Sequence, residues 1–237
     1  MATVAARPLE IDCEGRPTRE INREIRRAAS DGAAEIHLLN PAGRHNLCVA
    51  LFDPVTVRVR GDAGWYCAGM LDGGTVVVEG NCGWGVAENA MSGRVEVLGN
   101  AGTGAGATMH GGELFVAGDA GSRAAISLKG GAVVVGGSVG YMSGFMMQRG
   151  SLVVCGDAGE ALGDSMYEGR IYVAGEVASL GADAVDAELD DDDVEFLRGE
   201  LERHRVDRDP SSFRKVVAGR KLWNFSKKEF EVWKTAL

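Results

Sequence analysis

Through the middle of the chain, aliphatic residues come in alternate pairs at one fixed interval. Val57/Val59, Val76/Val78, Val95/Val97, Leu114/Val116, Val133/Val135, Leu152/Val154 and Ile171/Val173 follow each other every 19 residues. Period-two spacing puts both members of a pair on one face of a short strand. A second column, Leu71, Ala90, Met109, Leu128, Met147 and Met166, is mostly apolar in the same frame. Glycine fills the spaces between. Gly61, Gly80, Gly99, Gly118, Gly137, Gly156 and Gly175 lead the repeats, and further glycines follow three and thirteen positions later. The seventh position after each leader is always small: Ala68, Ala87, Gly106, Ala125, Gly144 and Gly163.

One repeat therefore holds a single strand and glycine-rich corners, with no room for a helix. A lone strand cannot bury its apolar face, so successive turns must stack at about 4.8 Å and pair with the turns above and below. The pattern predicts an all-β fold, a single-stranded parallel β-helix of about seven turns over residues 55–182. Glycine is needed where corners take positive φ and where the tube is too narrow for a Cβ. A stretch such as "VEVLGNAGTGAGATM" suggests a phosphate-binding loop, but it recurs turn after turn, no helix follows it, and it lacks Gly-Lys-Ser/Thr. The glycines are structural.

The flanks read differently. Residues 1–54 predict a cap. "PTREINREIRRAASDG" predicts a helix with Thr18 as N-cap, Ile21, Ile25 and Ala28/Ala29 on one face and Gly32 as its stop. "AEIHLLN" and "NLCVALF" predict short strands. After residue 182, "DAELDDDDVEFLRGELERH" predicts a helix whose acidic start suits the helix dipole. Residues 206–237 form a basic tail carrying Trp223, Phe225 and Trp233, which either folds back or reaches another subunit. Outward strand positions change from Arg58, Arg60, Glu79 and Glu96 to Phe115, Val134, Val153 and Tyr172. That apolar flank needs a cover, either the C-terminal helix or a partner.

Composition narrows the function classes. The formal charge of −9 argues against a nucleic-acid or anionic-membrane partner. Five cysteines without a Cys-x-x-Cys pair, and a polar start, predict reduced thiols in a cytoplasmic protein. Neither His37, His45, His110 nor His204 stands at metal-ligand spacing with a cysteine or another histidine. Asp62, Asn81, Asn100, Asp119 and Asp157 form a corner column suited to bonding backbone groups. No nucleophile motif, paired-carboxylate motif or triad stands out, so the expectation is no catalytic, cofactor-binding or metal-binding residue. Trp65, Trp84 and Tyr141 share one corner column and, with neighbouring Tyr66, make a candidate contact surface.

The Gly-x-x-Gly-x-x-x-Gly repeat, intact at Gly99/Gly102/Gly106, Gly137/Gly140/Gly144 and Gly156/Gly159/Gly163, resembles the C-terminal β-helix (GXGXG) domain family of the glutamate synthase large subunit. That resemblance, over residues 20–182, implies a right-handed β-helix without catalytic residues, acting as a spacer between amidotransferase and FMN/iron–sulfur domains. "GRHNLCVAL", "GWYCAGMLDGG" and "SFRKVVAGRKLWNF" are similar to the stand-alone β-helix subunits of N-methylglutamate synthases. This implies a hetero-oligomer with an amidotransferase-like subunit and an FMN-binding, glutamate-synthase-like subunit that carries the FMN and iron–sulfur cluster. The C subunits of formylmethanofuran dehydrogenase and of formyltransferase/hydrolase complexes share the repeat and stand as the alternative. A self-sufficient β-helix enzyme, such as a polysaccharide-acting one, is the rival class, although the acids here scatter over several columns.

Overall fold

A computed structural model describes residues 7–220. The 19-residue frame closes into a parallel β-solenoid of about seven turns. Seven strands follow the frame, β3 (Thr56–Val59), β4 (Asp72–Val78), β5 (Ser92–Val97), β6 (Glu113–Val116), β7 (Ala132–Val135), β8 (Ser151–Val154) and β9 (Arg170–Val173), and β1 (Leu9–Asp12) and β2 (Glu35–Leu39) from the N-terminal segment extend the stack in parallel below β3. Neighbours pair in parallel with equivalent residues opposed: Val76 with Val95, Val95 with Leu114, Leu114 with Val133. Both members of every aliphatic pair are buried in one continuous core, together with the column from Leu71 to Met166. A second, single-residue ladder runs through Ala63, Cys82, Ala101, Ala120, Val139, Ala158 and Val177.

Two physical demands account for the glycine columns. Gly112 has φ +78°, and a Cβ there would lie 2.6 Å from Gly93 O in the turn below. Gly99 has ordinary φ, but its Cβ would come within 2.7 Å of Asn81 Oδ1. That oxygen belongs to a polar ladder. Asp62 Oδ1 accepts from Asn81 N (2.7 Å), Asn81 Oδ1 from Asn100 N (2.9 Å), and Asn100 Oδ1 from Asp119 N (2.8 Å). The ladder continues through Asp119, Ser138 and Asp157. The acidic column is architecture: each side chain satisfies a corner N–H of the following turn.

At the N-terminal end, α1 (Thr18–Ser30) links β1 to β2 and buries Ile21, Ile25 and Ala29. The helix stops at Gly32, φ +93°, where the Ala33 amide closes onto Ala28 O. Its start differs from expectation. Pro17 is the N-cap, and no side chain caps the helix, because proline's fixed φ already sets the entry and Thr18 is drawn inside. Asn46–Phe52 also departs from the predicted strand: Asn46, Cys48 and Ala50 have φ of 58°, 58° and 54°. The stretch is a corner like those above it, and its apolar alternation reflects Leu47 and Leu51 pointing into the tube. Asn22 joins helix to corner, donating to Asn46 O (2.7 Å) and accepting from Cys48 N (2.9 Å).

At the other end, β10 (Ala184–Ala187), α2 (Asp191–His204) and β11 (Arg214–Ala218) fold back on the tube. β11 lies antiparallel between β9 and β10, so the last parallel edge is covered by the chain itself. Phe115, Val134, Val153 and Tyr172 form a second core with Leu197 and Leu201 of α2 and Phe213. The apolar flank is thus covered from within, and the described part of the tail folds back.

The start of α2 is locked by a reciprocal box between Asp190 and Asp193. Asp193 is fully buried, accepting from Tyr172 Oη at 2.6 Å and from the Lys215 ammonium, with Arg170 3.3 Å away. Burial opposes its charge, but Lys215, Tyr172 and the Asp190 backbone outweigh it and hold the carboxyl at about 2. A depressed native value stabilises the fold fully above the unfolded value near 3.8 and is lost as pH falls toward 2. The stability gap between wild type and Asp193→Asn, read by urea unfolding, should therefore narrow by on the order of 2 kcal/mol between pH 5 and pH 2.

Candidate interaction surface

The glycines three positions into each repeat form shelves on which corner side chains lie flat. A Cβ on Gly83 would sit 2.6 Å from Trp65 Cδ1, and one on Gly102 would sit 2.6 Å from Trp84 Cδ1. The indoles consequently run along the tube and stack, with centroids 5.2 Å apart and planes 13° from parallel. His45 extends the stack beneath Trp65 at 4.5 Å, and its Nδ1 accepts from Trp65 N at 2.9 Å. Tyr66 lies over Gly85 in the same way. These rings remain about half exposed, at 44% for Trp65, 45% for Tyr66 and 55% for Trp84. Exposed Met70 adjoins Tyr66 in a shallow depression also lined by Asn46, Val49, Gly69, Glu88 and Asn89. Half-exposed aromatic and methionine side chains held rigid by their own backbone are the usual anchors of a protein interface.

Of the residues singled out in the sequence, Trp65, Tyr66 and Trp84 come together. Tyr141 keeps the column but stands apart: Thr103 and Ser122 occupy the two intervening turns, and its ring is met by Arg123 at 5.8 Å. Trp223, Phe225 and Trp233 lie outside the described residues. His45 was missed because it precedes Trp65 by 20 residues, one out of frame.

The polar groups are arranged mainly for structure. His37 pairs with Glu35 at 2.9 Å beside Arg60, and His110 is exposed at a corner. All five cysteines are free and buried. Hydrogen bonding to neighbouring thiols and burial push Cys67 and Cys82 up, and burial pushes Cys155 up to about 11. Activation of a thiol requires the opposite shift. The seam between α2 and β6 holds Glu113, Glu200 and His204 within 4.8 Å of one another. Burial raises Glu200, with the Glu113 carboxylate adding to it; burial also opposes the charge on Glu113, but His204 and Arg203 pull it down. Among the described residues no helix is long and apolar enough to cross a membrane.

Fold and surface together define a capped parallel β-solenoid that displays an aromatic ladder on a rigid corner. The chain belongs to the GXGXG motif family, which matches residues 18–233 and is the family of the glutamate synthase C-terminal β-helix domain. No curated protein matches the chain.

Proposed function

We propose that this chain is the non-catalytic β-helix subunit of a heteromeric glutamate-synthase-like enzyme, N-methylglutamate synthase. It would hold an amidotransferase-like subunit and an FMN/iron–sulfur synthase subunit at a fixed separation, so that a labile amine passes between them to a glutamate skeleton. Family membership supports the coarser part of this reading, and the resemblance of the loop and tail stretches to stand-alone subunits supports the finer part. The observation that carries it is the exposed His45–Trp65–Trp84 stack, preorganised on a backbone whose turns hydrogen-bond to both neighbours. A rigid anchor loses little side-chain entropy on docking, which favours a permanent partner contact.

Co-expression with the two partner subunits, followed by co-purification and assay of amine transfer to glutamate, tests the proposal. Replacing Trp65 and Trp84 together by alanine should weaken partner binding by at least about 30-fold, the usual effect of losing interface anchors. The stability of the isolated chain should change by less than about 1.5 kcal/mol, the scale of one aromatic pair. Turnover by the isolated chain, or its failure to co-purify with either subunit, would overturn the reading.

A further inference from the structure

The seam between α2 and the tube holds a side-chain constellation that no local spacing in the sequence marks, and it is independent of any partner. Glu200 and His204 stand four residues apart on one face of α2, and Glu113 opens β6 directly beneath them. Arg203 Nη1 donates to one oxygen of each carboxylate, Glu113 Oε2 at 2.6 Å and Glu200 Oε1 at 2.8 Å. The other oxygen of each, Glu113 Oε1 and Glu200 Oε2, converges on His204 Nε2 at 2.8 and 3.8 Å. All three of these atoms are buried and none makes a hydrogen bond. The His204 side chain is 1% exposed and Glu200 6%.

The 2.8 Å approach of His204 to Glu113 lies off the line along which Nε2 would donate, which is also the line of its lone pair in the other tautomer. That direction is left for something else. Two carboxylate oxygens and one imidazole nitrogen without hydrogen bonds in a buried seam are costly unless a shared partner satisfies them. Metal–ligand bonds of about 2.0–2.1 Å place neighbouring ligands about 2.9–3.4 Å apart, and the observed separations bracket this range. Arg203 then has the role of an outer partner that orients both carboxylates. Arg94 Nε, 3.5 Å from Glu113 Oε1, also lies 2.8 Å from Glu96 Oε1, so its guanidinium has a carboxylate partner besides Glu113.

We propose that Glu113, Glu200 and His204 bind one divalent first-row transition-metal ion, zinc being the best match to one imidazole and two carboxylates. The ion pins α2 to the flank of the solenoid. It spans chain positions 113 to 204, so it ties the C-terminal helix to a turn in the middle of the tube. With both carboxylates oriented by Arg203 and the imidazole stacked on Phe115 at 4.0 Å, the ligands are held in place before the ion arrives.

The full chain, stripped with EDTA and dialysed, would be titrated with zinc chloride by calorimetry, and cobalt substitution would be followed by visible absorption. The expected result is one equivalent per chain, a rise in the thermal midpoint, and cobalt bands shared by imidazole and oxygen ligands. His204→Gln and Glu113→Gln should each weaken binding by more than the roughly 10–100-fold that loss of an outer partner costs. Each variant's circular dichroism would establish that it is folded, and Arg203→Met provides a third, with binding about 10-fold weaker. Absence of stoichiometric zinc in the folded wild type would overturn the proposal and leave an ion-pair cluster. So would equal affinity in folded Glu113→Gln, or a cobalt spectrum dominated by thiolate charge transfer.

Discussion

Gly112→Ala is expected to destabilise the chain by about 4 kcal/mol, whereas Gly104→Ala, eight residues away, should cost about 1 kcal/mol or less. Both glycines have positive φ, +78° and +72°. The difference is in what a methyl group would meet. At Gly112 it would lie 2.6 Å from Gly93 O and 2.9 Å from Ser92 C, backbone atoms fixed by the rung below. At Gly104 the nearest atom is Ala107 Cβ at 3.9 Å. The column of Gly104 contains Tyr66, Arg123, Met142 and Ala161 at φ 57–59°, so the fold already accepts side chains in that conformation. Alanine there loses some backbone freedom in the unfolded chain, which offsets part of the strain. Guanidinium unfolding of both variants provides the measurement. Equal losses would mean that φ alone, and not the contact between rungs, explains the glycine columns.

That distinction marks how far the sequence could be read. The interval between leading glycines gave the strand register directly, because a stacked rung exposes every error in spacing to its neighbours. The sequence did not show which glycine column answers to φ and which to close approach, since both demands select the same residue. Asn46–Phe52 read as a strand because corner residues Leu47 and Leu51 also alternate inward, and alternation is blind to the sign of φ. The antiparallel return of β11 was hidden in a tail whose basic and aromatic content outweighed the short run Arg214–Ala218. Glu113 and His204 were beyond reach for a different reason. Their contact depends on α2 lying along the tube, and no local spacing encodes a docking direction. The aromatic ladder was partly legible: the frame aligned Trp65 with Trp84 but also admitted Tyr141, which two intervening turns separate from them.

Leu197→Asp should release α2 while leaving the tube standing. Leu197 is fully buried in a core distinct from the interior of the solenoid, formed by Phe115, Val134, Val153 and Tyr172 from the outward strand positions and by Leu201 and Phe213. Removing a buried leucine costs about 2–5 kcal/mol, and an unpaired carboxylate in its place adds several more. The buried carboxylate of Asp193, bonded to Tyr172, resists release by on the order of 2 kcal/mol, and the partly exposed Arg203–Glu113 pair adds about 1 kcal/mol, which together fall short of that loss. The helix therefore gives way before the rungs do, since each rung keeps its neighbours above and below. The signature is dye binding to the uncovered flank and fast amide exchange in α2, with slow exchange retained in β3 to β8. A single cooperative loss of both, without dye binding, would show that the second core and the tube interior are one unit. Under the proposed function, partner binding at the Trp65–Trp84 corner should survive the substitution, because that corner is built on rungs whose packing owes nothing to Leu197.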